Sequence, residues 1–130
     1  MRMPKFRAWS EEGEVMYYDV YPFQDDTLLL SYDEIAFDEV PASDFILMQS
    51  TGLKNKKGYE FFEGDIVKFF DCDGDVYVTP VVWDKNYACF GVSFSGKYPI
   101  SFDYLEEFYT ELKDIEVVGN IYENQGLLRG

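Results

Sequence analysis

The central run from Met48 to Val67 most limits the folds open to this chain. The short apolar run Phe45–Gln49 leads into it, and two turn signals lie inside it, Thr51-Gly52 and Asn55–Gly58. A tight turn, Glu63-Gly64-Asp65, opens the apolar stretch that leaves it. Glycine tolerates the positive φ of tight turns, and short apolar runs bounded by turns are typical of buried strands. We therefore expect successive strands here.

Aromatic residues make up 19% of the chain, with 12 Phe, 11 Tyr and 2 Trp. Aromatic side chains favour the half-buried, pleated surface of a sheet. Together with a hydrophobic share of 47%, they predict a β-rich core. Part of the aromatic set has an alternative role as an exposed patch for a partner, since Tyr and Trp contribute strongly to interfaces.

The segment before the central run contains a further predicted hairpin. Lys5–Trp9 is a first strand, Ser10–Gly13 a turn cluster, and Glu14–Asp19 the returning strand. Tyr21–Tyr32 is ambiguous between strand and loop. Ile35–Asp44 is acidic, contains a proline and is predicted to be mostly loop.

A three-strand meander is predicted after the central run, from Ile66–Phe70, Val76–Trp83 and Ala88–Phe94. Pro80 lies inside the second strand and cannot donate to a ladder, which indicates an edge or a bulge. Ser95–Lys97 is predicted to be a turn.

The acidic segment Asp71–Asp75 has the spacing of a calcium loop but fails on its other positions. An EF-hand loop starting at Asp71 would need glycine at Val76 and a bidentate glutamate at Val82. Asp73-Gly74 between two strand-like runs is instead a hairpin-turn signal. No metal site is predicted.

A helix is predicted over Asp103–Leu112. Asp103 is the expected N-cap and Glu106 its capping-box partner, and apolar residues recur on one face at helical spacing. Glu116–Tyr122 is the last strand, with a bulge expected at Gly119-Asn120.

The predicted fold class is mainly β, with antiparallel hairpins, an SH3-like small barrel over Gly64–Tyr122 and one short α-helix. Two lobes are expected: an N-terminal β lobe, residues 1–50, and a barrel-like lobe with the helix, residues 51–130. A single compact domain over 1–130 is the alternative.

Three motifs resemble the YopX family of phage and prophage proteins, in that family's order. They are Lys5–Trp9, the central run and the tail Val117–Asn124. The resemblance spans nearly the whole chain, although little matches over Tyr18–Phe45 and Asp71–Asp114.

Two positions depart from the family's pattern, which often has an aromatic residue at Ser50 and an acid at Asn55. Both departures suit a turn region. The resemblance implies a small soluble protein of phage-derived DNA, of unknown function, that self-associates. It supplies no catalytic residues to carry over.

The net charge of −14 is unevenly distributed. From Ala8 to Leu53 there are eleven acids and no Lys or Arg. Such a protein is repelled by phosphate backbones, so direct nucleic-acid binding is disfavoured. The acids either form a solvated, solubilising surface or face a basic protein partner, including by mimicry of nucleic acid.

The chain contains no histidine, which excludes Ser-His-Asp and Cys-His nucleophiles. No phosphate-binding glycine loop is present, and two distant cysteines without histidine disfavour a zinc site. We expect no enzymatic activity and no cofactor. A carboxylate-dependent hydrolase stays open as an alternative, since acid pairs are plentiful.

No run of about 18 apolar residues is present for a membrane span, and no signal peptide is recognisable. We expect a protein of the bacterial host's cytoplasm, without membrane association. In that reducing compartment Cys72 and Cys89 are expected to be free thiols.

The polar residues of the family-like motifs form the candidate binding surface: Thr51, Lys54, Asn55, Glu63, Asp65, Asn120 and Glu123. They either fix turns and backbone amides or line a groove where the central motif and the tail meet. The expected function is binding of an unidentified host or phage protein through an acidic, aromatic-rich surface, with self-association. A small-molecule or peptide site in the barrel cleft is the alternative.

Overall fold

The computed structural model describes residues 5–33, 35–93 and 99–128. The chain divides into two compact units, unit 1 (Met1–Ser50) and unit 2 (Thr51–Gly130). The strands within the described ranges are β1 Phe6–Ser10, β2 Val15–Gln24, β3 Thr27–Leu30, β4 Asp38–Pro41, β5 Ile46–Lys54, β6 Glu60–Phe62, β7 Asp65–Phe70, β8 Val76–Asp84, β9 Cys89–Val92, β10 Ile100–Ser101 and β11 Glu116–Asn120. The helix α1 spans Phe102–Phe108, and short 3₁₀ turns span Ala42–Asp44, Leu112–Asp114 and Gln125–Leu128. The mainly-β class with one short helix is confirmed.

Unit 1 is an antiparallel sheet with the strand order β4-β3-β2-β1-β5. Its core is a cluster of buried side chains, Ala8, Val20, Leu28 and Leu30. Leu28 and Leu30 are two residues apart on β3, so they share one face, and Leu30 lies opposite Val20 on β2. The β1–β2 hairpin agrees with the prediction.

The acidic segment predicted to be mostly loop contains the strand β4, which the prediction missed. β4 pairs with β3 along its length, and Val40, opposite Leu28, packs against the core cluster. The strand ends the sheet order, where Pro41 does not interrupt an inner ladder. The pairing with β3 outweighs the unfavourable local composition.

The expected turn at Thr51-Gly52 is also absent, because β5 continues through both residues to Lys54. Gly52 has a φ of +79°, a backbone shape that an L side chain rarely adopts. The hydroxyl Oγ1 of Thr51 accepts a hydrogen bond from the Leu53 amide at 3.1 Å. The glycine therefore marks an irregularity within a strand.

Unit 2 holds a five-stranded antiparallel sheet with the order β10-β9-β8-β7-β11. The predicted meander is its centre, and β11 pairs beside the first strand of that meander. Among the described residues no ladder joins β10 to β11, so these strands do not close into a barrel. The expected turn at Ser95–Lys97 lies outside the described residues.

Pro80 lies in an inner strand, at the point where β8 changes partners. Val76–Pro80 pair with β7, and Val81–Asp84 pair with β9. The carbonyl of Pro80 accepts from the amide of Ser93 at 3.1 Å. The predicted edge or bulge was the wrong explanation: the proline stands between two successive ladders.

The helix α1 is shorter than predicted and starts from a different cap. Ser101 is the N-cap, since its Oγ accepts from the Tyr104 amide at 3.2 Å, whereas Asp103 lies in the first turn. α1 ends at Phe108, before the separate turn at Leu112–Asp114.

The core of unit 2 is a larger cluster of buried side chains than the core of unit 1. Its buried members are Phe61, Val67, Phe69, Val81, Val92, Phe102, Leu105 and Ile115. The rings of Phe61 on β6 and Phe102 on α1 are stacked, with centroids 5.6 Å apart. The first turn of the helix is thereby packed against β6.

The end of the chain is close to the prediction. β11 carries a register shift between Val117 and Gly119, so the expected bulge is present one position earlier. Gln125–Leu128 form a 3₁₀ turn. Within the described part of the chain, no helix has the length and apolar character needed to cross a bilayer.

Candidate functional site

Asn55 holds the central turn together from a nearly buried position. Its Oδ1 accepts hydrogen bonds from the amides of Lys57 at 3.0 Å and Tyr59 at 3.1 Å. Its Nδ2 donates to the carbonyl of Ile115 at 3.1 Å, 60 residues along the chain. The side chain therefore ties the turn to the segment that enters β11.

Asp65 plays a similar part at the turn that opens β7. It is only 3% exposed, and its Oδ2 accepts from the amide of Phe62 at 2.7 Å. Gly64 has a φ of +89°, and its amide donates to the carbonyl of Val81 at 2.9 Å. A carboxylate that accepts from nearby backbone fixes a turn in this way.

Asn120 fixes the turn that follows β11. Its Oδ1 accepts from the amides of Tyr122 at 3.0 Å and Glu123 at 2.9 Å. Its own amide donates to Oδ1 of Asn124 at 3.2 Å. A Cβ on Gly119 would lie 2.6 Å from that same oxygen, so the turn is closely packed.

The central motif and the tail do meet, because Asn120 lies opposite Asp65 in the β7–β11 ladder. The Asn55 contact lies at the other end of β11, roughly 15 Å away at the usual rise of a strand. The seven predicted residues are thus distributed over two places in unit 2.

The seven residues of the predicted binding surface differ in their exposure to solvent. Asn55, Asp65 and Asn120 are buried, and Thr51 and Glu63 are half-buried. Only Lys54 and Glu123 of the seven are exposed. The structural role of the buried three is visible in their hydrogen bonds, and the role of the set as a binding surface stays a prediction.

A surface that the sequence analysis did not locate lies on unit 1. Tyr21 on β2 lies opposite Leu29, which lies opposite Glu39 on β4. These positions alternate with the core residues, so they point to the other face of the sheet. Phe37 packs on Tyr21 with ring centroids 5.7 Å apart. We call Tyr21, Leu29, Phe37 and Glu39 the outer-face surface.

The rings of the outer-face surface are solvent-accessible, since Tyr21 is 44% and Phe37 49% exposed. The sequence carries little signal for this surface, since β2 contains a single acid, Asp19, with Tyr21 two residues beyond it. That signal does not specify which strands lie side by side, so the sequence alone could not assemble the surface.

Acidic groups also surround Tyr32, another exposed aromatic residue of unit 1. Its ring lies edge-on to Tyr17 at 5.3 Å. Burial raises the pKa of Tyr32, and neighbouring acidic groups, Tyr17 and then two aspartates, raise it further. The electrostatic surroundings of this ring are therefore negative.

The hairpin tip between β7 and β8 is organised by Asp71. Its Oδ1 accepts from the amides of Asp73 at 3.0 Å and Asp75 at 2.9 Å, and its Oδ2 accepts from the Tyr77 hydroxyl at 3.0 Å. The hairpin prediction is confirmed, with Gly74 at a φ of +84°. Asp71 is half-buried, whereas Asp73 and Asp75 are exposed.

The described residues were also compared with the predictions for metal ligands and cysteines. No group of three or more metal-ligating side chains is found among them. Cys72 is exposed at the hairpin tip, Cys89 is half-buried on β9, and both are free thiols.

A cleft of about 530 Å³ lies in unit 2 between the β8–β9 turn, β10 and α1. Its lining is mostly aromatic and apolar: Asp84, Tyr87, Cys89, Pro99, Ile100, Ser101, Tyr104 and Tyr109. Its volume is within the usual range of small-ligand sites.

The architecture of this chain is similar to that of proteins of known structure. Two crystal structures match it over 99% of this chain and 100% of their own. One is protein EF1440 from Enterococcus faecalis, with a TM-score of 0.69 and 25% identity. The other is protein yopX from Bacillus subtilis, with a TM-score of 0.64 and 26% identity.

No curated protein matches the chain. The family model described as YopX protein matches residues 5–129, almost the full length. The resemblance noted from the three sequence motifs is confirmed, and the chain belongs to the YopX family.

Proposed function

We propose that this protein acts by binding a basic protein through the outer-face surface of unit 1. The observation that carries the proposal is the pair of exposed, packed rings, Tyr21 and Phe37, with the Glu39 carboxylate on the same face of the sheet. The sequence from Ala8 to Leu53 adds no cation to offset that charge. Exposed rings beside carboxylates suit the arginine and lysine side chains of a partner.

The proposed setting is the cytoplasm of a bacterial host that carries phage or prophage DNA. The role is proposed to be non-enzymatic, and the lack of histidine in the sequence supports it. The partner is a host or phage protein with a basic surface. A DNA-binding enzyme is one such partner, because its phosphate-binding groove would accept a negative protein surface in place of nucleic acid.

Affinity capture from host lysate tests the proposal. We expect a basic protein to be retained at low salt and lost in about 0.5 M salt, where the Debye length falls to a few ångströms. Retention that does not respond to salt, or no retention, would contradict the proposal.

A variant pair links the capture to the surface. Tyr21→Ala with Phe37→Ala should weaken binding of the captured protein roughly tenfold, since exposed aromatic residues often dominate interfaces. Tyr59→Ala is the matched control, because Tyr59 is 61% exposed in unit 2 and outside this surface. Equal binding by the double variant and the control would exclude the surface.

Self-association is proposed as a property of the same protein. β11 ends the sheet order of unit 2, and a strand in that position can pair with a second copy. Light scattering at increasing concentration measures it: a mass that rises toward twice that of the chain supports a dimer, and a constant monomer mass contradicts it.

The cleft in unit 2 favours a second candidate function, the binding of a small molecule or peptide. Such sites are concave and mostly apolar, with a few polar groups that fix orientation. The cleft has this character, with Asp84 as its ionisable carboxylate.

A further inference from the structure

The cleft combines side chains from three elements. Asp84 and Cys89 face each other at the end of the β8–β9 ladder, and Tyr87 lies in the turn between them. Tyr104 and Tyr109 belong to α1 and its C-terminal cap, and their ring centroids are 6.4 Å apart. A carboxylate and three phenol rings therefore line one cavity.

Gly91 sets the position of the β10 wall of this cleft. It lies opposite Ser101 in the β9–β10 ladder. A Cβ at Gly91 would lie 2.2 Å from the carbonyl oxygen of Ile100. Only glycine allows β10, and with it the start of α1, to come this close to β9.

Asp84 is a buried carboxylate that still reaches the cavity. It is 6% exposed and is part of the cleft lining. Its Oδ1 accepts from the Asn86 amide at 3.0 Å. An ionised carboxylate offers about four acceptor sites, so much of its capacity is left for a ligand. A carboxylate that is shielded from water favours an opposite charge beside it.

The other lining groups also favour a cation over an anion. None of the described residues that line the cleft is Lys or Arg. Tyr87 is 78% and Tyr104 49% exposed, so ring surface is open to a ligand. The faces of phenol rings attract ammonium groups, and surrounding rings are a known means of recognising alkylated ammonium ions.

We propose that this cleft binds an alkylammonium group, with Asp84 as its counter-charge and the three tyrosines as its walls. The inference rests on the second candidate function and names the ligand class of that site. The ammonium group belongs either to a free amine or to a methylated lysine of a partner peptide, and both present the same chemistry to the cleft.

The two cysteines provide the measurement. Cys89 lines the cleft, whereas Cys72 is exposed at the β7–β8 hairpin tip and serves as an internal reference. We expect choline to slow alkylation of Cys89 by iodoacetamide and to leave Cys72 unchanged. The uncharged carbon isostere of choline should need an about tenfold higher concentration, a difference of the size that cation–π contacts produce.

Asp84→Asn tests the counter-charge. It keeps an acceptor for the Asn86 amide, so the turn should persist, while protection of Cys89 by choline should fall at least about tenfold. Asp75→Asn, at an exposed position outside the cleft, is the matched control. In this variant choline should protect Cys89 as well as it does in the parent. If Asp84→Asn does not fold, Tyr104→Leu is tested in its place. The same fall in protection of Cys89 by choline is expected.

The outcomes distinguish failure of the ammonium inference from failure of the second candidate function, the binding of a small molecule or peptide. Equal protection by choline and its isostere would overturn the ammonium inference and leave a small-molecule site. Protection by neither probe, or undiminished protection in Asp84→Asn, would overturn it as well.

A further set of comparisons identifies the source of the ammonium group. A peptide with trimethyllysine that protects far better than choline would identify a partner side chain as the source, and the reverse order a free amine. The Tyr21→Ala, Phe37→Ala protein should behave as the parent does, because its changes lie in unit 1.

Discussion

At the scale of single residues, the polar side chains of the family motifs act mainly on the backbone. Asn55, Asp65 and Asn120 each satisfy amides of their own turns. Their presence in turns could be predicted from sequence, since Asn and Asp commonly bond to nearby amides. The bond from Asn55 to Ile115 could not be predicted, because it depends on the folded chain bringing distant segments together.

Asn55→Ala should destabilise the protein by about 2–4 kcal/mol, because it removes three hydrogen bonds, one of them to the carbonyl of the buried Ile115. Urea unfolding followed by tryptophan fluorescence measures the change. Lys54→Ala, at the exposed neighbouring position, should change the free energy of unfolding by about 0.5 kcal/mol at most. A loss for Asn55→Ala no larger than that for Lys54→Ala would show that Asn55 does not stabilise the turn.

At the scale of elements, local sequence signals predicted the hairpins. The strand that they missed, β4, forms through pairing with a neighbouring strand. The β7–β8 hairpin followed from Asp73-Gly74, a signal contained within a few residues. β4 did not, because its pairing with β3 outweighs its acids and proline. The start of α1 was misplaced because Ser101 and Asp103 are both good caps and only packing chooses between them.

The β7–β8 hairpin should lose stability in acid through Asp71. Partial burial raises the pKa of this carboxyl, but hydrogen bonds from Asp75, Tyr77 and other donors lower it by more, so the pKa lies below its ordinary value. The ionised form therefore stabilises the fold above pH of about 4, and this contribution disappears as the pH falls through the folded-state pKa.

Urea unfolding of the parent and of Asp71→Asn between neutral and strongly acidic pH measures this effect. The difference in stability between the two proteins should shrink as the pH falls. Asp73→Asn, at an exposed position of the same tip, should show no such convergence. A difference that stays constant with pH would rule out the Asp71 carboxylate as the titrating group.

At the scale of the whole molecule, charge is the dominant property. The net charge of −14 follows directly from the sequence, and so did the mainly-β class. The arrangement of the acids around exposed rings did not, because the outer-face surface depends on which strands are neighbours. Composition thus indicates the overall charge of the protein, but not where the acids and the exposed rings lie together in the fold.

Moderate sodium chloride should stabilise this protein. Like charges repel one another more strongly in the compact state, and salt screens that repulsion. The urea midpoint should rise between about 0.02 M and 0.5 M sodium chloride, with potassium chloride as the control for ion identity. A midpoint that falls with either salt would mean that attractive pairs outweigh the repulsion.

The turn bonds of Asn55, Asp65 and Asn120 have a consequence for how relatives should be compared. Since these motif residues bond to the main chain of their own turns, their presence in another protein indicates the same scaffold, and a scaffold does not determine what a protein binds. What each such protein recognises must be looked for on its exposed positions. Two bearers of the same signature can therefore serve unrelated targets.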